Sequence, residues 1–267
     1  TMVDRIVPAT TDADRAEIAA LVGFEDHWPV MTEPFTQWVI EDSFPGGRPR
    51  FEAAGAQVVE DVEPFERMKL RMLNGSHSTM SYLGFLAGYQ YIAEVMGDPA
   101  FERLIHALMT EEAMPTLDMP GTDLGAYRDQ LLERFRNPAL KHRTWQIAMD
   151  GSQKLPQRLL GTIRDRLAAG EPFDRLALGV AAWMRYVTGV DEQGGEIDVR
   201  DPLALRMAAI AADAGDDAEA LYEGLVGLTE VFGTDLADNQ RFGEAVATQL
   251  DQLFEVGAKE TVRKMAG

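Results

Sequence analysis

The chain has 267 residues, 46% of them hydrophobic and 26% charged, so it holds enough apolar material for a large core and does not have a disordered composition. Its formal net charge of −19 repels phosphate backbones and anionic lipid, which argues against nucleic-acid and membrane-surface partners. There is no cysteine, so disulfides, thiolate chemistry and Cys-ligated metals are excluded; a reducing, cytoplasmic setting suits such a chain.

The N-terminus, Thr1-Met2-Val3-Asp4-Arg5, carries no apolar signal-peptide core. Its first residue is not an initiator Met, and the expectation is a chain that begins inside a longer polypeptide. Thr10, Thr11 and Asp12 can cap a helix through Arg15, Ile18, Ala19, Leu21 and Val22, with Gly23 just past its end. Residues 24–62 hold Pro29, Pro34, Pro45, Pro49 and the Gly46-Gly47 pair, so they read as loops. Gln37–Ile40 and Gln57–Val59 are β-prone pieces within them.

From Pro64 the helical period takes over. The expected helices are 64–95, 99–113, 122–136, 153–169, 173–188, 201–213, 216–226 and 237–264, the last broken near Gly257. Gly and Pro punctuate them at Gly97-Asp98-Pro99, Pro115, Pro120-Gly121, Gly170, Gly194-Gly195 and Asp201-Pro202. Met72, Met80, Trp183 and Met184 sit at helical spacings and are expected in the core. No Gly-x-Gly-x-x-Gly fingerprint, Walker loop or strand–helix alternation is present.

One stretch concentrates chemistry: Lys69, Asn74 and His77. On an α-helix at about 100° per residue, Asn74 falls near 140° and His77 near 80° from Lys69, with Leu70 and Leu73 in the same arc. Burying that arc puts an amine, an amide and an imidazole in one low-dielectric cleft. A partly buried Lys has a depressed pKa and serves as general base or acid for an alcohol or carbonyl. An Asn amide donates to an oxygen gaining negative charge. By spacing alone, however, lone polar residues on a helix are more often structural than catalytic.

The histidines His27, His77, His106 and His142 include no pair at metal-helix spacing, and no metal is expected. Glu111 and Glu112 are helix neighbours that do not face one another and read as a solvated face. His27-Trp28 reads as lining or filling a cleft, and His142 as a capping or packing residue.

Lys69-x4-Asn74-x2-His77 resembles the K-x4-N-x2-H signature of the polyol-specific long-chain dehydrogenases, a family that includes mannitol 2-dehydrogenase, arabinitol dehydrogenase and fructuronate reductase. Met2–Pro8, Glu33–Asp42, Gly47–Pro49 and Gln146–Pro156 also look similar to that family, so the resemblance covers essentially the whole chain. It implies a mainly α, multi-helical C-terminal domain of the mannitol dehydrogenase or 6-phosphogluconate dehydrogenase type, with a few short strands near 37–60. The Rossmann half is expected to be absent. Residues 1–9 would be the junction from that half and 10–267 the substrate-binding domain.

The resemblance further implies an NAD-dependent (or NADP-dependent), metal-independent oxidoreductase acting on a small sugar or sugar acid. Lys69 matches the acid/base, Asn74 the alkoxide-stabilising residue and His77 the substrate-orienting one. In a second cluster, Asp150 and Lys154 match substrate-contacting positions. The family's mannitol 2-dehydrogenases carry an Arg four residues, and a His one residue, before that Asp; Gln146 and Met149 stand there in this chain. The segment reads closer to the fructuronate reductase branch. D-fructuronate/D-mannonate is therefore the favoured pair, with Arg143 or Arg158 as carboxylate partner. D-mannitol/D-fructose is the alternative substrate pair, and a non-catalytic helical interaction module the alternative of another class. The bland reading of Arg158 is a helix-surface residue near Asp165 or Glu171. Without a dinucleotide fingerprint, the isolated chain is expected to lack activity.

Overall fold

The computed structural model describes all of residues 1–267. Three short strands form one sheet: β1 (Met2–Asp4), β2 (Gln37–Glu41) and β3 (Gln57–Val59). β2 lies in the middle, antiparallel to β1 and parallel to β3. β2 and β3 occupy the two β-prone pieces. β1 was not expected as a strand, because three residues are too few for an alternation to be read; pairing with β2, Met2 opposite Val39, defines it.

The first helix, Asp12–Val22, begins and ends at its sequence signals. Thr11 caps it in a reciprocal box with Asp14, and Gly23 closes it in the left-handed conformation. The expected 64–95 helix divides. Its main body runs through Glu63–Met68, Lys69–Asn74 and Gly75–Leu86, and then a turn through Gly88 at φ 85° leads to Ile92–Gly97. Two helices were missed: Thr144–Ala148, too short for a periodic signal, and Thr229–Ala237, whose interior Gly233 is non-helical. Near Gly257 the last helix, Gln240–Ala266, has its expected break (φ 78°, ψ 167°).

Gly75–Leu86 and Asp174–Tyr186 form the centre, with Gln240–Ala266 packed along Asp174–Tyr186. Both central helices are buried nearly all round, as their apolar and small-residue content requires. Met72, Met80, Trp183 and Met184 are wholly buried among them. Glu112 corrects the solvated-face reading: it is 1% exposed, and its carboxylate accepts the Arg175 and Leu176 backbone N–H groups, 2.9 Å each. It caps the Asp174–Tyr186 helix, and the N-terminal dipole offsets the cost of burying the charge. No helix is long and apolar enough to cross a membrane.

Candidate active site

The Lys69 helix is not α-helical where the chemistry lies. Lys69–Asn74 is a π-helical segment, and the Gly75 N–H reaches back five residues to the Leu70 carbonyl. One residue is absorbed by the wide turn. Positions i+5 and i+8 therefore fall where i+4 and i+7 would stand on an α-helix, about 40° and −20° from Lys69. Asn74 and His77 thus flank Lys69 more tightly than the 140° and 80° of an unbroken helix. The facing helix, Gly151–Leu155 through Gly161–Ala169, has a second π-helical segment at Pro156–Leu160. The two segments pack together at Gly75, where a Cβ would lie 2.8 Å from the Arg158 carbonyl oxygen. A side chain there would force the helices apart.

Between these segments and the N-terminal strand lies a cleft of about 290 Å³. Lys69, Asn74, His77, His142, Gln146, Lys154 and Arg158 line it, together with Arg5, Ile6, Val7 and Ala9. Four cations and no carboxylate line a cleft in a chain of net charge −19. Burial lowers the pKa of Lys69 and, with Arg158 nearby, of Lys154. Arg158 is held below its usual value by burial. Its side chain donates to a hydroxyl, Ser78 Oγ at 3.1 Å. Burial also drives His77 well below the ordinary imidazole range and His142 to about 4, so both rings are neutral at neutral pH. They stack edge-on, 5.0 Å between centroids. His77 Nε2, His142 Nδ1 and Gln146 Oε1 are buried without a hydrogen-bond partner. Three such atoms facing one cleft leave hydrogen-bonding capacity that water or a polar ligand can take up.

One wall of the cleft is held by a buried ionic network. Arg134 donates from Nη2 to Asp4 Oδ1 and Glu33 Oε1, both at 2.7 Å, and stacks on Phe35 at 4.0 Å. The Tyr127 hydroxyl donates to Asp4 at 2.6 Å, and the Ile6 N–H to Glu33 at 2.5 Å. Burial opposes the Arg134 charge, but its hydrogen bonds to Asp4 and Glu33 outweigh burial and raise its pKa. The network ties strand β1 to the Leu124–Phe135 helix. The Val3 carbonyl then accepts Lys69 Nζ at 2.7 Å, and residues 5–9 lie along the cleft.

The structure brings Lys69, Asn74, His77, Lys154 and Arg158 to one cleft. Asp150 and Arg143 do not line it. Asp150 is exposed at a helix start, and Arg143 sits over the Tyr91 ring at 5.8 Å. Arg158 is not the surface residue of the bland reading: Asp165 pairs with Arg71 and Glu171 with Arg166. His142 enters the cleft, whereas His27 and Trp28 are solvent-exposed (Trp28 at 85%) in a Pro-rich loop with nothing packed over it. Gln146 and Arg5 also line the cleft. A sequence signal existed for Gln146, which departs from the Arg of the mannitol 2-dehydrogenase pattern that the sequence resembles; none existed for Arg5. No three His, Asp or Glu side chains converge as a metal-ligand set.

Comparison with known proteins sharpens this picture. The sequence model described as the mannitol dehydrogenase C-terminal domain matches residues 61–254, and that described as the mannitol dehydrogenase Rossmann domain matches residues 1–53. The expected absence of the Rossmann half therefore holds only in part, since the stretch bearing β1 and β2 belongs to that match. The chain is 54% identical over 264 residues to D-mannonate oxidoreductase of Escherichia coli, covering 98% of this chain and 54% of the relative. It is 42% identical over 267 residues to mannitol 2-dehydrogenase of Aspergillus fumigatus, covering 98% and 52%. Among solved structures, the Pseudomonas fluorescens mannitol 2-dehydrogenase ternary complex with NAD and D-mannitol superposes with a TM-score of 0.92 at 38% identity, over 99% of this chain and 53% of that one. The chain spans about half the length of the relatives it matches.

Proposed function

The chain belongs to the mannitol dehydrogenase family, and from that premise we propose that it is the substrate-binding, proton-transferring part of an NAD-dependent oxidoreductase acting on a sugar acid. The observation that carries the sugar-acid reading is the cleft's charge: Arg5, Lys69, Lys154 and Arg158 without one lining carboxylate. A half-buried guanidinium that donates to a hydroxyl and no carboxylate is a ready site for a substrate carboxylate, which it binds bidentately. D-mannonate and D-fructuronate are the favoured pair.

Lys69 is the proton-transfer group. Burial lowers its pKa, which brings the neutral amine closer to neutral pH, and the Val3 carbonyl holds its Nζ in place. In the oxidative direction Lys69 takes the proton of the reacting hydroxyl. The Asn74 amide donates to the oxygen as negative charge builds there. Neutral His77 exchanges hydrogen bonds with a neighbouring hydroxyl and gains a partner for its buried nitrogen. A bound nicotinamide would supply the hydride acceptor in that direction. The three-stranded sheet contains no strand–glycine-loop–helix unit, so these residues offer a wall to the dinucleotide and no pyrophosphate cradle. A cytoplasmic location suits a cysteine-free enzyme of this kind.

The polyol alternative has its own observation: the neutral groups His77, His142 and Gln146 suit hydroxyls and carry no charge preference. The deciding test joins this chain to the half of E. coli D-mannonate oxidoreductase that it does not cover. NADH consumption is then followed with D-fructuronate and D-fructose in parallel. Preference for fructuronate is the expected result. Preference for fructose replaces the sugar-acid reading with the polyol one, and turnover of neither removes both.

A further inference from the structure

Lys154 reaches the cleft from a turn that three separate devices hold in one shape. Its ammonium donates to the Met149 carbonyl at 2.5 Å and the Ile147 carbonyl at 3.3 Å. Both carbonyls come from the end of the Thr144–Ala148 helix, and they point at Lys154 only because the chain reverses at Asp150. Asp150 has φ 54° and ψ 35°, and it is the one non-glycine residue with positive φ. Asp tolerates that region better than most residues, but the conformation persists only when its surroundings impose it.

The surroundings are specific. The Asp150 N–H donates to the Arg200 carbonyl at 2.9 Å. Immediately after it, the Ser152 N–H and hydroxyl donate to the two oxygens of the Asp201 carboxylate, at 2.8 and 2.6 Å. Asp201 Oδ1 also accepts the Leu203 N–H at 2.8 Å, which anchors the carboxylate to its own loop. Between them, Gly151 is packed so closely that a Cβ would lie 2.4 Å from Trp183 Nε1 and 2.6 Å from the Tyr82 hydroxyl oxygen. Across the same turn, Arg200 sits over the Trp145 ring at 5.3 Å.

We propose that Asp201 is a positioning residue for Lys154: through Ser152 it locks the Asp150–Gly151 turn, and the locked turn presents the carbonyls that aim the Lys154 ammonium into the cleft. Asp201 itself is not among the cleft residues. Asp150 then acts through its backbone conformation and through its carboxylate, which lies 3.9 Å from Lys154 Nζ, and not by substrate contact. The inference rests on the sugar-acid reading for what Lys154 binds, and on geometry alone for how Lys154 is held.

Two measurements test it on the chain itself. The first is D-mannonate affinity by calorimetry for the wild type, Asp201→Ala, Lys154→Ala and the double variant. Each single variant is expected to weaken binding about tenfold, the scale of one lost charge-assisted hydrogen bond. The double variant is expected to be no weaker than Lys154→Ala, because the two residues act as one unit. Losses that multiply in the double variant would overturn the proposal. The second is acylation of the lysines by acetic anhydride, read by mass spectrometry, which needs no ligand. Lys154 should label several-fold faster in Asp201→Ala, with the exposed Lys264 unchanged; equal Lys154 labelling overturns the proposal. If Asp201→Ala does not fold, Ser152→Ala removes one of the two clamp bonds and is read by the same two criteria. Failure of the wild type to bind D-mannonate counts against the sugar-acid reading, and labelling then decides the latch by itself.

Discussion

Arg134 and Arg158 both carry a guanidinium into the protein, and their surroundings are opposite. Arg134 is fully compensated, with two carboxylates, one of them anchored by a tyrosine, and an aromatic face against it. Arg158 is also largely withdrawn from solvent, but its side chain donates to the Ser78 hydroxyl. Burying an uncompensated charge is costly, whereas a paired one is costly mainly when its pairing is broken. The first arginine therefore serves the fold, and on the proposed reading the second is the one that meets a substrate carboxylate.

The largest expected effect breaks the compensated side. Arg134→Met leaves the buried Asp4 and Glu33 carboxylates without their cation and should cost about 3–5 kcal/mol in urea unfolding. A loss under about 1 kcal/mol, within the range of an exposed ion pair, would remove the network from its structural role. Next comes Lys69→Ala. In the joined enzyme it should lower turnover by about two orders of magnitude or more. Retained turnover at neutral pH would falsify the proton-transfer role.

Arg158→Met tests the other side of the comparison. D-mannonate affinity should fall about tenfold or more, while D-mannitol affinity should change little. The thermal midpoint should hold or rise, since an uncompensated charge has been replaced by an apolar side chain. Equal losses for both ligands would show that Arg158 does not read a carboxylate.

A further effect concerns pH. His142 is held at about 4 when folded, against 6.5 for an ordinary imidazole, because burial disfavours its charged form. The unfolded chain therefore binds more protons between those values. The stability contributed by keeping the ring neutral is present above pH 6.5 and is lost as pH falls toward 4. Denaturant midpoints measured across that window should drop, and His142→Phe should flatten the slope. An unchanged slope would mean that His142 is protonated in the folded chain.

Legibility in the sequence followed the range of the interactions. The Asp12–Val22 helix announced itself through Thr11 and Gly23, and the buried helices through apolar periodicity, because those forces act within a few residues. Lys69, Asn74 and His77 were visible as a spacing and as a family resemblance, although the spacing was first placed on an α-helix. The π-helical turn that gathers them depends on packing against Pro156–Leu160, some 85 positions along the chain. The Arg134 network joins residues 130 and 101 positions apart, so no local pattern announces it.

By itself the sequence determined the helical class, the most buried side chains, the two β-prone pieces and the family's three-residue signature, since each depends on neighbours in the chain or on residue type alone. Tertiary structure alone decided that Glu112 is a buried helix cap, that His142 and Gln146 line the cleft while Asp150 and Arg143 do not, and that Arg158 faces the cleft without a carboxylate. The physical reason is common to all of them: the free energy of a charge or an unpaired polar atom is set by what surrounds it in space, and those surroundings come from distant parts of the chain.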